Sequence, residues 1–331
     1  MKKRYLIPLL LLAILAIAFF AGPKPDYPDF TGKIEALNLS LSETETFVSQ
    51  KHKGVKNFKA GNESYILWAD STKQKTEYSV VYLHGFSASP MEGDPIHKEF
   101  AQRYGANLYV PCLAKHGILD KESFKNLTPK DLIDSAKEAI AIGNILGEKV
   151  IVLSCSTGGT LSAYLAAENP KMIDAQIAFS PNIDLAASTS ELLTLPWGLN
   201  LAQQVAGSKY RHVPIPENCA PYWTMDYRIE GIVALKALIE ETMYLETFQK
   251  IKQPFFVGYY YKDEENRDKT VSIPAMKTLF EEVSTPDDKK VIHAFPNGAH
   301  VMLSPLQSRN LDAVRKETFK FAEEVLGMVE I

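Results

Sequence analysis

The stretch that decides the fold is Ile151-Val152-Leu153-Ser154-Cys155-Ser156-Thr157-Gly158-Gly159. Its opening residues are apolar without alternation, as in a strand buried on both faces of a parallel sheet. The chain then turns abruptly to small residues and a glycine pair. A strand running through a sharp turn into a helix holds a serine hydroxyl up at a sheet's rim. Such a turn brings backbone close to backbone, so the positions two before and two after the serine must be small. Here these are Ser154 and Gly158, around Ser156. The following helix aims free amides and its positive dipole end back at Ser156, a field that favours an anion beside the hydroxyl. Serine also caps helices for stability alone, so the motif needs its context.

Six further apolar runs share the strand character: YILWA from 65, YSVVYLHG from 78, ANLYVPCL from 106, DAQIAFSP from 174, PFFVGYYY from 254 and KKVIHAFP from 289. Helical periods lie between them, near 95–104, 129–146, 159–169, 274–284 and 310–326. In the second, Thr128 is placed to cap, Pro129 suits the first turn and Gly147 ends the period. Strand and helix in alternation predict an α/β fold: a doubly wound, mostly parallel sheet. The interval from about 185 to 252 is far longer than an ordinary connection and carries its own helical pattern. It predicts a helical insertion over the sheet's carboxyl edge, where open α/β folds bind ligands.

Two loops complete the chemistry around Ser156. In VVYLHGFSASP, residues 80–90, a strand ends at His84-Gly85, and the Phe86 amide is the candidate second oxyanion donor beside that of Thr157. By itself His84-Gly85 reads more simply as a strand-end turn with a satisfied histidine. In AFPNGAHVML, residues 294–303, His300 follows the last strand, where the chain order Ser, acid, His places a base. An imidazole there can take the Ser156 proton and return it to a leaving group. The acid comes from KDEENRDKTVS after the strand at 254, with Asp263, Glu264, Glu265 and Asp268 all available. Asp268, just before KTVS and the next helix, is favoured, and Asp184 in SPNID is the fallback. The acid's task is to fix the imidazole tautomer and stabilise the imidazolium.

Composition narrows the function classes. A net charge of −4 offers no basic field for a nucleic-acid backbone, so none is expected as partner. Cys112, Cys155 and Cys219 make neither a CxxC pair nor a disulfide framework, and the seven histidines form no HExxH cluster, so no metal and no cofactor is expected. Cys155 reads as a small core residue. The start, MKKRYLIPLLLLAILAIAFFAG, residues 1–22, has a basic flank and a long apolar run. It reads as a cleaved signal peptide or a retained membrane anchor, and either places the remainder outside the cytoplasm. Residues 23–58 form a proline-bearing linker and lead-in, and 59–331 the main domain.

LHGF, SCSTGG, DKTVS and NGAHVML, in this order and each at a strand end, resemble the α/β-hydrolase superfamily, within it the esterase and monoacylglycerol-lipase-like serine hydrolases. The resemblance covers about residues 60–328 and implies Ser156 as nucleophile, Asp268 as acid, His300 as base, and Phe86 and Thr157 as oxyanion-hole donors. It also implies that the 185–252 insertion is a cap over an acyl pocket. Ser154 departs from the commoner glycine. The activity expected is hydrolysis of small-molecule or lipid-like esters through an acyl-serine. Leu192, Leu193, Leu195, Trp197, Leu199 and Trp223 are candidates to line the pocket, or simply to pack the cap. Acyl transfer, the cofactor-free peroxidase branch and a non-catalytic binding domain are the alternatives.

Overall fold

The computed structural model describes residues 3–331, with side chains from Pro8 onward. In chain order the elements are α1 (Lys3–Phe20), α2 (Leu41–Gln50), β1 (Tyr65–Leu67), β2 (Thr76–Leu83), α3 (Ile96–Arg103), β3 (Asn107–Val110), α4 (Pro129–Leu146), β4 (Gly147–Cys155), α5 (Thr157–Glu168), β5 (Ala175–Phe179), α6 (Gly198–Ala206), β6 (Tyr210–His212), β7 (Asp226–Arg228), α7 (Glu230–Thr242), α8 (Leu245–Phe248), β8 (Phe255–Tyr260), α9 (Ile273–Glu282), β9 (Lys290–Phe295) and α10 (Leu311–Glu324).

All seven apolar runs are strands of one sheet, in the order β1-β3-β2-β4-β5-β8-β9. Every pairing is parallel except the edge pair of β1 with β3. Side chains of β4 explain why its run does not alternate. Val150 and Val152 enter one core with Val81 and Leu83 of β2, beneath α4 and α5. Ile151, Leu153 and Cys155 enter the other, with Val80, Tyr82 and Phe179, against α3 and α10. Each fully buried aliphatic side chain contributes on the order of 2 kcal/mol, so both faces of the central strand require apolar residues.

Helix α4 begins and ends where its caps dictate. The Thr128 hydroxyl accepts from the Asp131 amide while the Asp131 carboxylate accepts from the Thr128 amide, Pro129 occupies the first turn, and Gly147 is the C-cap. The same device recurs in the lead-in, where Ser40 and Glu43 form a capping box that starts α2. The long insertion carries α6, α7 and α8 and also a hairpin of β6 and β7, three residues each, that no sequence pattern announced. Their residues, Tyr210-Arg211-His212 and Asp226-Tyr227-Arg228, are mostly polar, so no apolar run marks them.

Met1 and Lys2, the start of the basic flank, lie outside the described residues. The apolar run forms α1, with Leu9, Leu12, Leu15 and Ile17 exposed. Among the described residues no helix is long and apolar enough to cross a membrane.

Candidate active site

Ser156 stands at the carboxyl end of β4 with φ 52° and ψ −118°, a conformation that costs a non-glycine residue on the order of 1–3 kcal/mol. Tertiary bonds enforce it. The Ser156 amide donates to the Phe179 carbonyl at 3.0 Å, and the Ser156 carbonyl accepts from the amides of Asn182 at 3.0 Å and Gly159 at 2.8 Å. The need for a small residue two positions on is a matter of contact: a Cβ on Gly158 would collide with the Leu83 carbonyl of β2. Ser154 is accommodated, fully buried, but its hydroxyl has no hydrogen-bond partner among the described residues.

Asp268 and His300 meet. The Asp268 amide donates to the Tyr260 carbonyl at the end of β8. Its side chain is fully buried, and Oδ1 accepts from the amides of Thr270 at 2.8 Å and Val271 at 3.4 Å. Oδ2 lies 2.7 Å from His300 Nδ1, which comes from the loop after β9. Burial opposes the charged form of both groups. For His300 the adjacent Asp268 charge and hydrogen bond outweigh it and hold the imidazole above its ordinary pKa. For Asp268 burial is again outweighed, by His300 and the two amides, and the carboxyl sits below its ordinary range. Ser156 shares this carboxyl rim, without a hydrogen bond from its hydroxyl to the imidazole among the described residues.

The other acidic candidates are engaged elsewhere. Asp263 accepts from Asn266, and Glu264 from the Tyr261 hydroxyl, all in an exposed loop that also holds Glu265. Asp184 accepts from the buried Lys236 ammonium at 2.9 Å, which ties the end of β5 to α7 of the insertion.

The loop after β2 is buttressed by two histidines. His84 is fully buried, its Nε2 accepting from the Leu113 amide at 2.9 Å and its Nδ1 donating to the Gly85 carbonyl at 2.8 Å. That is the satisfied strand-end histidine. Burial, with His116 nearby, holds it well below its ordinary pKa and therefore neutral. His116 was missed from sequence, although KHG after β3 mirrors LHG after β2. Its Nε2 accepts from the Ser87 amide at 3.1 Å. Between them, Phe86 packs its ring on Phe124 and Tyr227, and neither the Phe86 nor the Thr157 amide has an acceptor among the described residues.

The insertion reaches this loop. The Thr224 amide donates to the Ser87 carbonyl at 2.7 Å. Cys219 and Trp223 pack with Ala88 and with Val301, the neighbour of His300. Lys59 from the lead-in donates to the carbonyls of Ala220 and Trp223. Ser156 keeps only 6 % of its surface exposed beneath this cover. Of the proposed pocket residues, Trp223 is buried next to the site, whereas Leu192, Leu195 and Trp197 are exposed on the outside of the insertion. Helical spacing could not reveal which face of the insertion turns inward.

With this sheet order and these strand-end loops, the chain has the α/β-hydrolase fold. Among solved structures it is similar to a metagenome-derived lipolytic enzyme of the LipS and LipT pair, with a TM-score of 0.64, 15% identity, and coverage of 79% of this chain and 97% of that one. It is similar also to the monoacylglycerol lipase of Paleococcus ferrophilus (TM-score 0.58, 14% identity, 78% and 96% covered). A third is Est1E from Butyrivibrio proteoclasticus with ferulic acid bound (TM-score 0.53, 14% identity, 80% and 95% covered). No family model matches the sequence, and comparison with curated proteins finds no relative.

Proposed function

We propose that the protein is a carboxylic-ester hydrolase that works through an acyl-Ser156 intermediate. The observation that carries this reading is the strained Ser156 on the same rim as the 2.7 Å His300–Asp268 pair. In the first half-reaction, Ser156 Oγ attacks the ester carbonyl while His300 Nε2 takes its proton, and Asp268 stabilises the imidazolium. The amides of Phe86 and Thr157 donate to the oxygen on which charge develops. Collapse returns the proton to the departing alcohol. Water then attacks the acyl-serine with His300 as base, releasing the acid and restoring Ser156.

The lipolytic enzyme and the lipase among the structural neighbours support small-molecule or lipid-like esters as the substrate class. The basic and apolar start supports a location outside the cytoplasm, to be tested by mapping the mature amino terminus.

A fluorophosphonate probe tests the chemistry. Labelling of the wild type and none of Ser156→Ala is expected, together with turnover of p-nitrophenyl esters by the wild type alone. Absence of labelling on folded wild-type protein would leave a binding domain. Acyl transfer is separated by adding a primary alcohol and measuring whether the acyl group goes to it in preference to water.

A further inference from the structure

Glu92 has no place in that mechanism, yet it sits behind it. It belongs to the single helical turn Pro90–Gly93 that follows the oxyanion loop, and it is 2 % exposed. Its Oε2 accepts from the Gly85 amide at 2.7 Å and from the Tyr82 hydroxyl at 2.9 Å. Gly85 immediately precedes Phe86. A Cβ on Gly85 would come within 2.9 Å of Glu92 Oε1 and 3.0 Å of the Ser156 Cβ, so carboxylate and nucleophile flank the same glycine. No side chain larger than hydrogen fits between them.

A buried carboxylate is costly to keep unless a cation pairs with it, and no lysine or arginine does so among the described residues. A glutamine would accept the same two hydrogen bonds without that cost. A titratable carboxyl held here therefore calls for a role of its own. The Tyr82 hydroxyl of β2 bonds the carboxylate, and Cys155 of β4 and the charge of His300 bear on it. Beyond Tyr82, His97 of α3 stacks at 5.0 Å and bonds the Tyr65 hydroxyl of β1 at 2.8 Å, with the charges of Asp94 and Lys98 bearing on it. Asp268 lies behind His300 and bears on Cys155. Of the groups that bear on Glu92, His300 alone can become cationic near neutral pH.

We propose that Glu92 is a positioning residue of the site: it fixes the oxyanion loop through the Gly85 amide and sets a second negative charge behind the imidazolium formed at His300. The inference rests on the ester-hydrolase reading above. Burial, opposed by its hydrogen bonds and by His300, raises the Glu92 pKa to about 7, so the charge is poised to change across the working range.

The test is Glu92→Gln in the full chain, with kcat and KM for p-nitrophenyl butyrate from pH 5 to 9, fluorophosphonate labelling and a thermal melt. The expected result is a fall in kcat of about ten-fold, less than the loss of a whole oxyanion donor. KM should stay close to wild type, Ser156 should remain labelled, and the acidic limb of kcat/KM should move to lower pH. Tyr82→Phe removes one donor to Oε2, leaves Glu92 less acidic and should move the limb the same way, which keeps the test open if Glu92→Gln does not fold. An unmoved limb in the folded variants, with wild type labelled, overturns the role of Glu92 alone. Unlabelled wild type overturns the hydrolase reading and this inference with it.

Discussion

Replacing Asp268 with asparagine probes the site where its geometry is most constrained. Oδ1 of Asp268 is committed to two backbone amides, and Oδ2 faces His300 Nδ1 at 2.7 Å. Asparagine must keep its carbonyl oxygen on those amides, because its NH2 group cannot accept from them. Its NH2 then points at His300 and donates. The imidazole Nδ1 is forced to accept, the ring proton moves to Nε2, and Nε2 can no longer take the Ser156 proton as the proposed mechanism requires. The unfavourable tautomer and the lost charge together predict a fall in kcat of about 10⁴, or roughly 5.5 kcal/mol in the barrier. Thermal stability should change far less, since the shape and the hydrogen bonds to Thr270 and Val271 persist. The assay is single-turnover and steady-state hydrolysis of p-nitrophenyl butyrate, with Asp184→Asn as comparison. Asp268→Asn activity within ten-fold of wild type, or a larger loss in Asp184→Asn, would refute the reasoning.

Gly158→Ala should abolish labelling of Ser156 and lower stability by about 3 kcal/mol, measured by denaturant titration, because the new methyl meets the backbone of β2 rather than a movable side chain. The proposed reaction requires neutral His300, whose pKa is held up against burial by Asp268. Activity should therefore decline as pH falls through a midpoint above about 6.5, the ordinary histidine value; a pH profile with its midpoint below that value contradicts the pairing. Lys236 is 2 % exposed and serves Asp184 and Glu191. Its partners are partly solvated, so Lys236→Ala should cost about 1–3 kcal/mol, read as a lower melting temperature, with proteolysis starting in the insertion.

Much of the fold was legible because it is written in local terms. A strand covered on both faces must be apolar at every position, as Val150–Leu153 are, and a helix that starts at Thr128-Pro129 carries its own caps. The turn at Ser156 was legible for the same reason: Gly158 is required by a backbone approach that follows whenever a strand turns so sharply into a helix. The capping box of Ser40 and Glu43 is equally local.

The choice among the acidic residues was not local. Asp263, Glu264, Glu265 and Asp268 crowd one loop, and only the packing of that loop against β9 buries Asp268 beneath His300 while leaving the others in water. Glu92 carries no signature of its own, and the KHG at His116 does not say what the ring bonds, since a polar residue in a loop becomes a buried partner only when another loop closes over it. The inward face of the insertion is of the same kind, with Trp223 turned in and Trp197 out. The sequence by itself thus determined the seven strands of the sheet, the helices that flank them and the sharp turn at Ser156, through patterns that act over a few residues. Only the tertiary structure decided which charged groups lose their water, because burial and hydrogen bonding between distant loops are properties of the assembled sheet edge.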